Sequence, residues 1–136
     1  MTRRAAALLM LLAAVLLPAV PGGARAGGGS ADAAPRFLDA LEDVPLPPGL
    51  AEVADAGMVF DTPQGRIVEA YAEGPADRDS VARFYRDTLP QLGWRRAGVR
   101  HYVREGETLD LSFERPAGGP LTVRFSLAPT GGGSDR

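Results

Sequence analysis

The stretch Val81-Ala82-Arg83-Phe84-Tyr85-Arg86-Asp87-Thr88-Leu89-Pro90-Gln91-Leu92-Gly93-Trp94 decides how the chain is read. Val81, Phe84, Tyr85, Thr88, Leu89 and Leu92 recur at the spacing of one helix face. Arg83, Arg86 and Asp87 fall on the other side, and Asp79–Arg83 and Arg83–Asp87 are spaced for i,i+4 ion pairs. Asp77 is suited to cap the first turn, because its carboxylate accepts from backbone N–H groups that the helix leaves free. Pro90 lacks the N–H that a helix interior needs, so the last turn ends there, with Gly93 as a left-handed cap. Phe84 is expected beneath the helix as its main core anchor.

The periodicity changes on both sides of this helix. Met58–Thr62 and Arg66–Glu73 are predicted strands joined by a turn at Pro63-Gln64-Gly65. After the helix, Val99–Arg104, Thr108–Arg115 and Leu121–Ala128 are three more. In the last two, Leu109, Leu111 and Phe113, then Leu121, Val123, Phe125 and Leu127, alternate with polar residues, which marks one buried and one solvated face. Two registers are open for the hairpin at Glu105-Gly106. Pairing Arg104 with Glu107 turns Tyr102 inward; a one-residue slip turns His101 inward instead. Tyrosine is the better core residue and favours the first. The predicted fold is α+β, with an antiparallel sheet of about five strands in the order β-β-α-β-β-β and one main helix across one face.

The 136-residue chain has room for one such domain. Two arginines at its start, thirteen uninterrupted apolar residues at 5–17, and Ala24-Arg25-Ala26 make up the layout of a secretory signal peptide (1–26). The apolar run is shorter than the roughly 20 residues of a spanning helix, so the exported chain is expected to begin at Gly27 and not to span a membrane. Residues 27–43 are read as a flexible N-terminal segment with a short helix over Arg36–Asp43, 44–128 as the α+β domain, and 129–136 as a flexible tail. Between the first two, Val44-Pro45-Leu46-Pro47-Pro48-Gly49 is predicted to run extended over the surface, with Leu46 and Leu50 packed down.

Charge is distributed unevenly. Residues 27–77 hold two arginines and ten acids, whereas 78–104 hold seven arginines and two acids. One reading is that the acidic half folds against the basic half and the charges pair internally, which the abundance of surface ion pairs favours. The other is that Arg95, Arg96, Arg100 and Arg104 form a patch for an anionic group. Without its first 26 residues the chain is net acidic, which argues against nucleic acid as a partner.

Catalytic chemistry finds few supports. There is no cysteine and one histidine, His101, and no serine stands in a Gly-x-Ser-x-Gly elbow. No cofactor and no metal ligand set is expected. Glu69 and Glu73 share a strand face with Ile67 and Tyr71 and are read as a solvated face; the other reading is a partly buried Glu69 acting as an acid or base.

The helix stretch resembles the V-x-x-F-Y-x-x-x-L-x-x-x-G-W signature of small exported bacterial domains of unknown function. In these a proline-bearing segment like Pro45–Gly49 precedes two strands, a helix and further strands, so the resemblance implies export and fold but no activity. A strand, a Phe-Tyr helix and three strands are also similar to the βαβββ module of the glyoxalase-like vicinal-oxygen-chelate enzymes. That likeness implies a metal-binding histidine on the strand before the helix. The strand reads Arg66-Ile67-Val68-Glu69-Ala70-Tyr71-Ala72-Glu73, with the ligand position near Ala70. The resulting expectation is an exported, periplasmic or secreted, non-enzymatic accessory or binding domain of the bacterial cell envelope. Its partner is an envelope protein, a peptide or an anionic ligand. An enzyme, including a degenerate chelate-type fold, is the alternative. An exposed apolar patch or bare sheet edge is the mark of the binding module, and a cleft of converging charged groups that of the enzyme.

Overall fold

The structure is a computed structural model that describes residues 35–131. The expected signal peptide, residues 27–34 and residues 132–136 lie outside the described residues.

The helix forms where its periodicity places it. α1 spans Arg78–Thr88, and the Asp77 carboxylate accepts from the Ser80 N–H at 2.9 Å. This bond, favouring the charged form, holds the Asp77 carboxyl below its ordinary value. Pro90 converts the last turn to a 3₁₀ turn over Leu89–Leu92, and Gly93 closes it at φ 89°. Val81, Tyr85 and Leu89 are the residues this face buries. Phe84 is only partly buried at the margin, its ring edge-on to Tyr85 with centroids 5.2 Å apart. Tyr85 therefore holds the place expected for Phe84. Neither expected i,i+4 ion pair forms among the described residues; Arg86 instead meets its neighbour Asp87.

The sheet carries more strands than expected because two short ones extend it. Its members are β3 (Ala51–Glu52), β4 (Met58–Thr62), β5 (Gly65–Gly74), β6 (Arg95–Arg96), β7 (His101–Arg104), β8 (Glu107–Glu114) and β9 (Leu121–Pro129). They run in the order β3-β5-β9-β8-β7-β6, with β4 also paired to β5, and the pairings are antiparallel. β3 and β4 thus lie end to end along one edge of β5, interrupted by a loop in which Asp55 takes a positive φ. Arg104 pairs with Glu107, and Tyr102 is buried while His101 is not. The turn between them is the two-residue mirror-image type, with φ of 48° at Glu105 and 83° at Gly106.

The N-terminal segment differs from its expected form. Arg36–Asp43 is not a short helix: β1 (Arg36–Leu38) and β2 (Leu41–Leu46) form a separate two-stranded sheet around Asp39-Ala40. Leu38, Leu41, Val44 and Leu50 are buried in the same core as the helix face. Phe37, Leu38 and Leu41 are compatible with either conformation; burial of the hairpin's inward side selects the strand. Two-strand pairing also tolerates Pro45, because an edge strand needs only half its backbone groups in the ladder. Arg36–Leu46 packs into the domain, and Pro129 is buried at the end of β9 opposite Glu107.

Helix and hairpin cover the same face of the sheet. That face presents Val68, Ala70 and Ala72 of β5, Leu109 and Leu111 of β8, and Leu121, Val123, Phe125 and Leu127 of β9. Tyr85 ties the layers together: its hydroxyl donates to the Pro45 carbonyl at 2.9 Å in the interior, and its ring packs edge-to-face on Phe125 at 5.6 Å. Burial pushes its phenol well above the ordinary tyrosine range. Tyr85→Phe should lose about 1–3 kcal/mol by stranding a buried carbonyl, and Tyr85→Ala about 3–5 kcal/mol. Phe84→Ala should cost less than Tyr85→Ala, and Arg83→Ala should stay within about 0.5 kcal/mol. Urea denaturation of the four variants checks this order.

Candidate functional site

The uncovered face of the sheet is polar. Odd-numbered residues of β5 and even-numbered residues of β8 and β9 point there, so Glu69, Tyr71, Arg124, Ser126, Asp110 and Ser112 share one surface with His101. Glu69 is half-buried in it; one oxygen pairs with Arg124 and the other accepts from the Tyr71 hydroxyl at 3.2 Å. The hydrogen bond to Glu69 raises the Arg124 guanidinium further. Both Glu69 oxygens are thus tied to neighbours on the same face, which fixes the carboxylate in place. His101 Nδ1 lies 2.7 Å from Asp110 Oδ1 with both side chains substantially exposed. The pair orients an imidazole, yet no serine hydroxyl is hydrogen-bonded to that ring among the described residues. The described residues also hold no group of three His, Asp or Glu able to grip a metal ion. Ala70, where the chelate family would place a ligand, is buried in the core face.

The four arginines singled out from the sequence do not converge on one patch. Arg104 faces the core, its side chain 16% exposed. Its guanidinium lies 4.4 Å from the Trp94 ring centroid, donates to the Leu92 carbonyl at 3.0 Å and meets Asp43 at 2.6 Å. It clamps the end of the helical segment to the β1–β2 hairpin through its terminal nitrogens, while its Nε and the Trp94 Nε1 are buried without a partner. Arg100 lies over the Phe113 ring, as Arg78 does. Arg95 lines a hollow with Leu92, Val103 and Arg104. Arg96 lines another, between α1 and the β6–β7 connection, with Arg83 and Arg86. Strand geometry explains the scatter, since adjacent Arg95 and Arg96 must point to opposite sides.

Internal neutralisation is also not how the charges are arranged. Of the five ion pairs among the described residues, one joins the 78–104 segment to the acidic half, Arg104–Asp43. Among the described residues the other arginines of that segment are not paired with acids of that half.

The feature that sequence reasoning missed lies at the opposite edge. β4 has β5 on one side and no strand on its other side among the described residues. Met58, Val59 and Phe60 are 48%, 54% and 55% exposed, and Ile67, opposite Phe60 on β5, is exposed as well. The helix does not cover this end of the sheet, so the ribbon is apolar on both faces. Beside it the Ala54–Gly57 loop and the β1–β2 turn enclose a hollow of about 440 Å³ bearing Asp39, Glu52, Asp55 and Glu69. The run Met58-Val59-Phe60 was the available signal, three consecutive apolar residues where a strand with one solvated face should alternate.

Among the described residues no helix is long and apolar enough to cross a membrane. No protein-family model, curated protein or solved structure matches the chain.

The Arg104 clamp has a measurable consequence. Arg104→Ala strips charged hydrogen bonds from Asp43 and the Leu92 carbonyl and should cost about 1.5–3 kcal/mol. Arg95→Ala should stay within about 0.5 kcal/mol. Thermal and urea melts of the two variants distinguish a structural arginine from a surface one.

Proposed function

We propose that the protein is an exported, non-enzymatic binding module of the bacterial cell envelope that engages a partner polypeptide along the β4 edge. The observation that carries this reading is the bare, apolar edge strand. Native proteins blunt such edges with charge, proline or a covering element, because unpaired N–H and C=O groups on an apolar strand recruit another chain. Here Met58, Val59 and Phe60 leave it open, and Asp61 is the one charged residue of the strand. An extended partner segment would add to the sheet through main-chain hydrogen bonds, with its side chains reading Phe60 and Ile67 on one face and Val59 on the other. The acids around the adjoining hollow favour a segment that carries basic residues. Export is supported by the signal-peptide layout of residues 1–26, and with it a periplasmic or secreted location.

The enzyme alternative draws less support. The polar face holds an imidazole–carboxylate pair in solvent, and the Glu69 carboxylate beside it is bound to Arg124 and Tyr71.

Site-specific photo-crosslinking in the producing cell tests the proposal. A photoreactive residue at Val59 or Phe60 should yield a discrete adduct, absent when the residue sits at Ser112 on the polar face. With the probe at Phe60, adding Val59→Lys should abolish the adduct by charging the edge. The absence of any adduct from the β4 positions, or the same adducts from Ser112, would remove the edge as the binding surface.

A further inference from the structure

We propose that the hollow between α1 and the β6–β7 connection is a second, separate site, which binds a phosphate group. It measures about 300 Å³ and is lined by Arg83 and Arg86 of the helix, Arg96 of β6, Asp79, Ala82 and Val99. The fold brings these arginines together from two elements. Arg83 and Arg86 are three apart on the outward side of α1, and Arg96 lies opposite Tyr102, the residue of β7 that turns toward the helix layer. Burial pushes the Tyr102 phenol up; Arg96 and Arg86 act on it in the opposite sense, and Asp87, the partner of Arg86, adds to the rise.

Two of the three guanidiniums are already oriented. Arg96 Nε donates to the Gly98 carbonyl at 2.8 Å, and Arg86 Nε to Asp87 at 3.2 Å. Each bond uses the inner nitrogen and leaves the terminal pair free to meet an anion. Arg83 and Arg96 have no carboxylate partner among the described residues. A carboxylate is satisfied by a single guanidinium fork. Three forks, of which Arg86 alone is shared with a carboxylate, Asp87, and with Asp79 the one carboxylate lining the hollow among the described residues, suit a group with more oxygens and more charge, which a phosphate provides. Val99, 79% exposed at the lip, adds an apolar contact next to the charges. The phosphate can therefore be a free ion, as inorganic phosphate or pyrophosphate, or the headgroup of a lipid whose glycerol and acyl portion meets Val99.

Two experiments on the protein isolated from its producing cell separate these sources. They are calorimetric titration with inorganic phosphate and pyrophosphate, and sedimentation with phosphatidylcholine vesicles with or without phosphatidylglycerol. The Arg83→Gln/Arg96→Gln variant should bind roughly tenfold or more weakly, because it removes charge-assisted hydrogen bonds. The charge-matched Arg66→Gln/Arg115→Gln variant should change binding by less than about twofold, as expected for surface positions elsewhere. Saturable binding of the soluble ions with this pattern assigns a free phosphate. Binding confined to phosphatidylglycerol vesicles, with the same pattern and a further loss in Val99→Ser, assigns a lipid headgroup. Binding of neither probe, or equal weakening by both double variants, overturns the proposal. Melting temperatures measured alongside should be equal for the variants, so that the loss read is one of binding; a loss that merely tracks unfolding of Arg83→Gln/Arg96→Gln also counts against the site.

Discussion

The hydrogen bond from the Tyr85 hydroxyl to the Pro45 carbonyl holds the helix, the hairpin and the sheet of this small domain in one arrangement. A proline carbonyl inside the protein needs a donor as any buried acceptor does, and the residue that supplies it comes from 40 positions along the chain. The ring behind that hydroxyl rests on Phe125 of β9, so one side chain touches the hairpin, the helix and the middle of the sheet. Arg104 repeats the same connection at the rim, with Trp94 beneath it and Asp43 and the Leu92 carbonyl as its acceptors. Helix and hairpin are thereby committed to the same face, and the other face is polar except where Met58, Phe60 and Ile67 lie at the β4 edge.

This one-sided construction leaves the two edges of the sheet chemically unlike. At the β4 edge lie apolar residues and acids; at the β6 edge lie arginines that pair with no acid of the N-terminal half among the described residues. Ion pairing between the halves would have erased that polarity. Among the described residues it is found at Arg104, the arginine that packs against the core. Charge separation across a sheet costs little when both groups stay hydrated, and it favours a partner of opposite sign at each edge.

Much of the fold was legible because its signals are local. The alternation in Thr108–Arg115 and Leu121–Ala128, the helix face from Val81 to Leu92, and the stops at Pro90 and Gly93 all depend on neighbours in sequence. The choice of Tyr102 over His101 for the core followed from side-chain character alone. The β1–β2 hairpin was not legible, because Phe37, Leu38 and Leu41 satisfy a short helix as well as a strand, and only burial against distant elements decides between them. The arginines adjacent in sequence are dispersed for a similar reason. Proximity in sequence grouped Arg95, Arg96, Arg100 and Arg104, but strand alternation separates Arg95 from Arg96, and stacking on Trp94 withdraws Arg104. The residues that join Arg96 come from the helix. No count of charges along the chain reports on an unpaired edge, so β4 became visible only through the strand order.

Amide hydrogen exchange of the monomeric protein, read residue by residue, tests most directly whether the β4 edge is bare. The expected result is slow exchange through Val68–Ala72 of β5 and from Leu121 to Leu127 along β9, with alternate amides of Met58–Thr62 exchanging at the rate of an open chain. Slow exchange at every amide of Met58–Thr62 would contradict it, because the edge would then already be paired.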